Sequence, residues 1–285
     1  MTDFNAARGG GAPVGTARNL DGSRAGAPAF LVESCLLTFG LASVSGEELA
    51  KRWYGAGLEK AAICWVQEGK IMAGTMEEYL PFRSSRPRGK FSAARIESAL
   101  AEKLSGALTA SGTMAACRRL GVPCAVSCGI GGFEGTKDEA PCYDLLALRD
   151  LPAALVCTSP KDMLDIAATI GWLRGAGVRV LGCGSAFCTG YLFNGAPVAL
   201  DGEWKGEECA PHTLILRGIA PELRLKDNEI LARAVAEGRE AERAGKYYHP
   251  AVNAALDHMS GGYSSEIQLA SIIENARFAA RLTGA

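Results

Sequence analysis

Four charged residues stand where the sequence predicts the end of a strand or the loop that follows it. They are Glu33, Lys90, Asp144 and Lys161. Ligands of open α/β sheets bind beside the carboxyl ends of the strands, so side chains in these positions are candidates for binding or catalysis. The chemistry that these residue types could perform is proton transfer by a carboxyl group and nucleophilic attack by an amine.

Glu33 and Lys161 have sequence contexts that favour such chemistry. Glu33 follows four apolar residues, and burial would raise the pKa of its carboxyl group so that it could donate a proton near neutral pH. Lys161 is predicted to open a helix, where the amide dipoles disfavour a positive charge and favour a neutral amine that could attack a carbonyl. In the alternative interpretation, Glu33 pairs with a surface arginine and Lys161 is an ordinary solvated charge.

A glycine-rich loop, residues 128–135, follows an apolar strand. Its bare glycines would let a ligand approach the backbone amides, as in a cradle for an anion or a hydroxyl group. The spacing differs from the dinucleotide fingerprint, because the third glycine would fall at Glu134 and a polar segment follows. The loop therefore does not predict an NAD site.

The composition bounds the class of protein. The chain has 285 residues, of which 48% are hydrophobic, enough for one large domain. Its 30 Lys and Arg residues against 31 Asp and Glu leave no excess charge for a nucleic-acid backbone or an anionic membrane. No run of about 18 apolar residues predicts a membrane-spanning helix. We expect a soluble, cytoplasmic protein that acts on a small molecule.

Other residues are given a structural interpretation. Residues 1–27 are rich in Gly, Ala and Arg and are predicted to form a flexible leader, with residues 28–285 as a single domain. The ten cysteines are spread along the chain and are predicted to be reduced thiols rather than disulfides or zinc ligands. The three histidines, His212, His249 and His258, carry little functional weight, and the last two are predicted to be structural or solvated rather than ligands.

The elements that must position the charged residues follow an α/β pattern. Short apolar runs alternate with longer amphipathic stretches, as expected when helices cover both faces of a buried sheet. Strands are predicted over residues 29–32, 61–66, 70–73, 123–127, 153–157, 178–182 and 213–216, with a hairpin turn at 67–69. Helices are predicted from about residues 46, 75, 92, 112 and 161, and over 227–245, 250–259 and 264–282.

Several short segments occur in the order and spacing of one known family, and the signal lies in their combination. They are residues 33–40 (ESCLLTFG), 68–71 (EGKI), 90–92 (KFS), 129–132 (GIGG), 156–161 (VCTSPK), 261–262 (GG) and 275–276 (NA). From residue 29 to the C-terminus, the chain resembles the pseudouridine-5'-phosphate glycosidases. The resemblance implies a three-layer α/β/α fold with a central mixed sheet, the indigoidine synthase A-like fold.

The resemblance also implies a reaction. A C-glycosidase of this family breaks, or reversibly forms, the carbon–carbon bond between ribose 5-phosphate and uracil or a related base. The lysine that matches Lys161 attacks the anomeric carbon of ribose and opens the sugar ring into an imine. Glu33 matches the proton donor to the ring oxygen. Lys90 matches a second lysine, whose charge would favour a neutral Lys161.

Binding roles follow from the same resemblance. Asp144 matches the residue that holds a divalent cation, usually Mn²⁺, through one direct bond and several waters. The family usually assembles as a homotrimer. Contacts to the sugar, the base or the metal waters are implied for Ser92, Thr109, Ser127, Gly129, Gly131, Gly132 and Gln268.

The chain departs from the family mainly in the residues that recognise the substrate. Where the family carries two arginines for the 5'-phosphate, this chain has Ala93 and Ala94, with Arg95 one position further on. Arg217 could supply a replacement cation. Further departures are Phe39, Ser127-Cys128, Cys142, Gln268 and Arg217-Gly218.

These departures suggest imine chemistry retained on an altered substrate. Two alternatives stay open. The first is a C-glycoside synthase of secondary metabolism that joins ribose 5-phosphate to a heterocycle other than uracil. The second is a binding protein that has kept the scaffold without turnover.

Overall fold

The computed structural model describes residues 28–135 and 139–284, so the predicted leader, residues 1–27, lies outside the described residues. Within them the chain forms a sheet of ten strands with two short strand pairs beside it. The strands are β1 (Phe30–Glu33), β2 (Ala62–Gln67), β3 (Lys70–Gly74), β4 (Gly89–Phe91), β5 (Gly106–Leu108), β6 (Cys124–Val126), β7 (Gly129–Ile130), β8 (Ala154–Cys157), β9 (Ser159–Pro160), β10 (Arg179–Gly182), β11 (Phe187–Cys188), β12 (Val198–Ala199), β13 (Gly202–Glu203) and β14 (Thr213–Leu216).

Helices connect most of these strands. They are α1 (Gly46–Gly55), α2 (Met76–Ser84), α3 (Ile96–Ala101), α4 (Ala110–Leu120), α5 (Tyr143–Asp150), α6 (Ile166–Gly175), α7 (Asn228–Arg243), α8 (Tyr248–Met259) and α9 (Tyr263–Thr283). A π-helical turn (Leu36–Gly40) follows β1, and a 3₁₀ turn (Pro221–Leu223) follows β14. In the described part of the chain, no helix combines the length and the apolar character needed to cross a membrane.

The sheet is mixed, as the resemblance implies. Its strand order is β13-β10-β14-β8-β6-β1-β2-β5-β4, with β3 also paired to β2. The central strands β14, β8, β6, β1 and β2 run parallel, whereas β3 and β5 pair with β2 in the antiparallel direction. The carboxyl ends of β1, β6 and β8 therefore lie side by side, which is where open α/β sheets bind ligands.

Alternating side chains of the sheet build a core on each face. In β1, Phe30 and Val32 point into one core and Leu31 into the other, as the two-residue repeat of a strand requires. The first core is closed by α1, α2, α8 and α9, and the second by α3, α4, α5 and α6. The expected α/β/α arrangement of three layers is confirmed.

Three local predictions need correction. The helix predicted from residue 92 begins at Ile96, because residues 89–91 pair with β5 as strand β4. The helix predicted from residue 161 begins at Ile166, after Asp165 caps it by accepting a bond from the Ala168 amide at 2.8 Å. Asp144 lies in the first turn of α5 rather than in a loop. The seven predicted strands and the capping box of Thr75 with Glu78 are present.

Candidate active site

The four charged residues singled out from the sequence line one cleft. It encloses about 220 Å³ at the carboxyl ends of β1, β6 and β8. Glu33, Lys90, Asp144 and Lys161 all face it. The charges of all four also act on the thiol of Cys35 in the same wall, where desolvation raises the pKa to about 11. The cleft therefore combines two amines and two carboxyl groups within electrostatic reach of one another.

Glu33 ends the buried strand β1 and is 5% exposed. Burial raises the pKa of its carboxyl group from 4.5 to about 7, against the opposing effect of the Lys161 charge. The Ser127 hydroxyl and the Cys128 amide also lower this pKa, and the Asp144 charge raises it. A carboxyl group that titrates near neutral pH can both give and take a proton, as a general acid–base group must.

Lys161 is held against the glycine-rich loop by the short parallel pair of β7 with β9. Gly129 lies opposite Ser159, and the Lys161 amide donates to the Ile130 carbonyl at 3.2 Å. A Cβ at residue 129 would lie 3.1 Å from Cγ of Lys161 and 3.1 Å from the ring of Tyr191. A side chain at residue 129 would therefore crowd the lysine stem and the tyrosine ring. Since α6 begins at Ile166, the helix-dipole argument for a neutral Lys161 does not hold.

Asp144 ties two parts of the cleft together. Its Oδ1 accepts a hydrogen bond from the Ser111 amide at 2.9 Å, and its Oδ2 accepts one from the Gly131 amide at 2.9 Å. A Cβ at Gly131 would lie 2.8 Å from Sγ of Cys142 and 3.4 Å from Oδ2, so the bare backbone is needed for this approach. The carboxylate is fixed by two amides, and each oxygen keeps a free lone pair.

Lys90 lies in the middle of β4 and lines the cleft. Its Nζ lies 5.7 Å from the ring centroid of Tyr247, which places the ammonium in cation–π range. Ser92 and Thr109 also line the cleft. Thr109 caps α4, since its Oγ1 accepts from the Gly112 amide at 3.3 Å.

The other residues implied by the resemblance divide into two groups. Gly129, Gly131 and Gln268 line the cleft, whereas Ser127 and Gly132 are not among its lining residues. Gly132 packs against Thr169 of α6. The binding roles of these residues stay predictions.

Gln268 is 1% exposed, and its amide joins a buried polar group. Tyr191 Oη donates towards Gln268 Oε1 at 3.2 Å and towards Cys128 Sγ at 3.0 Å. The Tyr191 ring is placed by Asp162, whose oxygens accept from the Tyr191 and Leu192 amides at 2.8 and 2.7 Å. Burial raises the pKa of the Asp162 carboxyl group to about 6. The Nε2 of Gln268 is buried and finds no partner in residues 28–135 and 139–284.

Sequence reasoning missed several residues of the cleft, among them His249 and Asn253 of α8. The sequence predicts a structural or solvated His249, and in the structure His249 lines the cleft. No sequence signal links α8 to strand ends that lie far away in the chain. The lining residues that were not expected are Cys35, Leu36, Gly40, Ala110, Ser111, Tyr143, Tyr191, His249, Pro250 and Asn253.

The arginines considered as phosphate ligands point elsewhere. Arg95 lies 3.1 Å from Glu102, with both side chains about half exposed, and Arg217 lies 3.5 Å from Glu274. Neither residue lines the cleft. Among the described residues, the Lys and Arg side chains that line the cleft are Lys90 and Lys161. The cleft as described therefore lacks the bidentate guanidinium contacts with which proteins commonly hold a phosphate.

The cleft offers few side chains that could bind a metal ion. The described residues contain no group of three or more His, Cys, Asp or Glu side chains that could hold a metal ion. Asp144 offers a carboxylate in the cleft, with free lone pairs on oxygens that two backbone amides fix in place. A hard divalent cation that keeps most of its water can be held by one carboxylate, so the residues fit that kind of ion.

Comparisons with known proteins agree on one family. Residues 22–210 match the family model described as indigoidine synthase A like protein. A pseudouridine-5'-phosphate glycosidase of Methylobacterium nodulans is 30% identical over 282 residues, which cover 90% of this chain and 83% of that protein. One of Paracoccus denitrificans is 26% identical, with coverage of 90% and 93%.

Two solved structures share the fold. The prealnumycin C-glycosynthase AlnA, crystallised in complex with ribulose 5-phosphate, aligns with a TM-score of 0.71 and 25% identity, covering 90% of this chain and 92% of that one. An indigoidine synthase A-like protein of Thermotoga maritima aligns with a TM-score of 0.75 and 22% identity, with the same coverage. The second likeness shows the fold alone.

Proposed function

The chain belongs to the family of indigoidine synthase A-like proteins, and on that premise we propose that it is a C-glycosidase that works through a lysine imine. It cleaves, or reversibly forms, the carbon–carbon bond between a ribose and uracil or a related base. The observation that carries the proposal is the meeting of Glu33, Lys90, Asp144 and Lys161 in one cleft. Relatives named as pseudouridine-5'-phosphate glycosidases support the substrate class.

Lys161 is the nucleophile of the proposed reaction. Its neutral Nζ bonds to the anomeric carbon as the bond from that carbon to the ring oxygen breaks, and the ring oxygen takes a proton from Glu33. The secondary ammonium formed in this attack returns a proton to the Glu33 carboxylate, and the nitrogen lone pair then forms the iminium as the bond to the base breaks. The electron pair of that bond goes to the base carbon, which takes up the proton now held by Glu33. Water adds to the iminium and releases the aldose and the free amine.

Glu33 suits the proton transfers of this sequence. Its carboxyl group is buried beside Lys161, and its pKa of about 7 makes both protonation states accessible at neutral pH. Lys90 lines the same cleft and brings a second amine to the site. The burial of Glu33 next to an amine is the feature expected of an acid–base group paired with a nucleophile.

We further propose that Asp144 holds a hydrated divalent cation, Mn²⁺ or a similar hard ion. One carboxylate fixed by two backbone amides supports this role. When bound, such an ion supplies electrostatic stabilisation of charge that develops on the substrate. The family resemblance also supports a homotrimer, which sedimentation velocity would test.

The phosphate group is the part of the substrate for which the cleft is least suited. Ala93 and Ala94 replace the arginines expected there, and Arg95 and Arg217 are engaged with acidic partners. We therefore propose that the protein accepts a ribose without the 5'-phosphate. The second candidate function, C-glycoside synthesis with another heterocycle, is favoured by the likeness to the C-glycosynthase AlnA and by the same changes.

Turnover assays separate these functions. The purified protein with Mn²⁺ is incubated with pseudouridine and with its 5'-phosphate, and in the reverse direction with ribose or ribose 5-phosphate plus uracil or one of a panel of other heterocycles. We expect release of uracil from both compounds, with kcat/KM values within about tenfold of each other, because no arginine lines the cleft in the described part of the chain. K161A is the inactive control.

The contradicting outcomes are distinct. A product formed only with a heterocycle other than uracil supports the synthase. No product with any pair, together with measurable binding of the pentose, supports a binding protein and overturns the proposed reaction.

A further inference from the structure

His249 presents an unpartnered ring nitrogen in the wall of the candidate active site. It is the second residue of α8, and its ring packs 5.1 Å from that of Tyr248, centroid to centroid. Its Nε2 is buried and has no hydrogen-bond partner within residues 28–135 and 139–284. Because buried polar atoms in folded proteins are nearly always paired, an unpaired one in a cleft points to a ligand.

The surroundings of the ring favour its neutral form. The Lys161 charge, then burial, then the charges of Lys90 and Arg239 hold the pKa of the imidazole well below its ordinary value of 6.5. A neutral imidazole has one N–H and one bare nitrogen that accepts hydrogen bonds. Since the charges that act on His249 are all positive, the bare nitrogen is the part of the ring that suits this environment.

The position of the ring relative to Lys161 indicates which part of a substrate it meets. His249 and Lys161 line the same cleft, and the Lys161 charge acts on the imidazole. Any sugar carbon that bonds to Lys161 carries hydroxyl groups one or two bonds away. These hydroxyl groups are hydrogen-bond donors, which is what a bare ring nitrogen requires.

We infer that Nε2 of His249 accepts a hydrogen bond from a pentose hydroxyl next to the carbon that reacts with Lys161, and so positions that carbon for attack. This inference rests on the proposed function, in which Lys161 attacks the sugar. His249 is then a sugar-positioning residue that helps to select a hydroxylated substrate. Gln268 lines the same cleft, and its buried Nε2, which has no partner within the described residues, can donate to an acceptor of the same ligand.

Substitutions on α8 test the inference by kinetics. H249F keeps an aromatic ring and removes both nitrogens, H249Q keeps a hydrogen-bonding group, and H258F alters an exposed histidine of the same helix. In the synthetic direction we expect H249F to raise the KM for ribose about tenfold, because a hydroxyl group loses its buried acceptor. The KM for uracil stays within about twofold, H249Q recovers most of the loss, and H258F matches the wild type.

Two kinetic results would overturn the inference. A rise in the KM for uracil with no change for ribose would place His249 at the base. Unchanged KM values for both substrates would show that the His249 ring packs in the wall of the cleft and binds neither substrate. Replacing ribose by 2-deoxyribose gives a further check, since the effect of H249F should shrink if the missing hydroxyl is the donor.

Nitrogen NMR tests the contact without any turnover. The ¹⁵N signals of the imidazoles are recorded for K161A with ribose 5-phosphate and, separately, with uracil, and the His249 signal is identified by its loss in H249F. We expect the bare nitrogen of His249 to shift with the sugar and not with uracil. If the wild-type protein turns nothing over but this shift occurs, the proposed function fails and the inference stands. If turnover is found and the signal does not move, the inference fails.

Discussion

Replacing Glu33 by glutamine should change how the stability of the protein depends on pH. In the wild-type protein the buried carboxyl group keeps its proton up to about pH 7, whereas the unfolded chain releases it near the ordinary value of 4.5. Between these values the folded state binds more protons, so its stability falls as the pH rises. The extra stability is complete below pH 4.5 and is lost as the pH rises through 7.

The size of the effect follows from the same two pKa values. A difference of about 2.5 pH units at about 1.36 kcal/mol each gives roughly 3 kcal/mol between the two ends of the range. E33Q cannot ionise at this position and escapes this loss. Asp162 also has a raised pKa, of about 6, but it titrates in both proteins and cancels in the comparison. The wild type should therefore lose about 3 kcal/mol relative to E33Q on going to alkaline pH.

Urea unfolding at a series of pH values from 4.5 to 8.5 measures this difference. E77Q, which removes an exposed carboxyl group from α2, is the matched control for the loss of an acid. A stability difference between wild type and E33Q that stays constant across the range, or that favours the wild type at high pH, would refute the claim that Glu33 is buried with a raised pKa.

Two further predictions concern the walls of the cleft. D144N should abolish the binding of Mn²⁺, measured by electron paramagnetic resonance, and leave the unfolding temperature within a few degrees, while tight Mn²⁺ binding by D144N would contradict the metal role of this residue. G129A should lower kcat at least tenfold with a stability loss below about 1 kcal/mol, because the new Cβ would crowd the Lys161 stem and the Tyr191 ring at 3.1 Å. Wild-type kcat in G129A would show that the lysine has more freedom than this contact allows.

The buried sheet could be predicted from the sequence because each central strand is a continuous apolar run. The run before Glu33 is buried along its whole length, and the carboxyl group that ends it opens into the cleft as predicted. The capping box of Thr75 with Glu78 could also be predicted, because its two residues are only three positions apart in the sequence.

The shorter elements were missed for identifiable reasons. Strand β4 exists because Gly89 lies opposite Gly106, a contact between separate segments. Helix α5 begins after Cys142, which is a poor capping residue, so no start signal marked the helix that carries Asp144. The start of α6 could have been predicted correctly, because Asp165, four residues after Lys161, is a standard N-cap residue.

Only the site residues that lie at or just after the ends of strands could be predicted from the sequence. Glu33 ends β1 and Lys161 follows β8 and β9, and β1 and β8 flank β6 in the sheet. His249 and Asn253 reach the cleft because α8 packs over it, and nothing in their own sequence surroundings shows this. Residues on a helix that covers a site are fixed by tertiary packing, which local patterns do not encode.

Reductive trapping tests the central claim, that Lys161 bonds to a sugar carbon. The protein is mixed with ribose or ribose 5-phosphate, treated with borohydride, digested and analysed by mass spectrometry, with K161R as the control. We predict one reduced pentose on the peptide that contains Lys161 and none in K161R. A pentose found on Lys90 instead, or no adduct under conditions in which the protein turns over its substrate, would contradict the account.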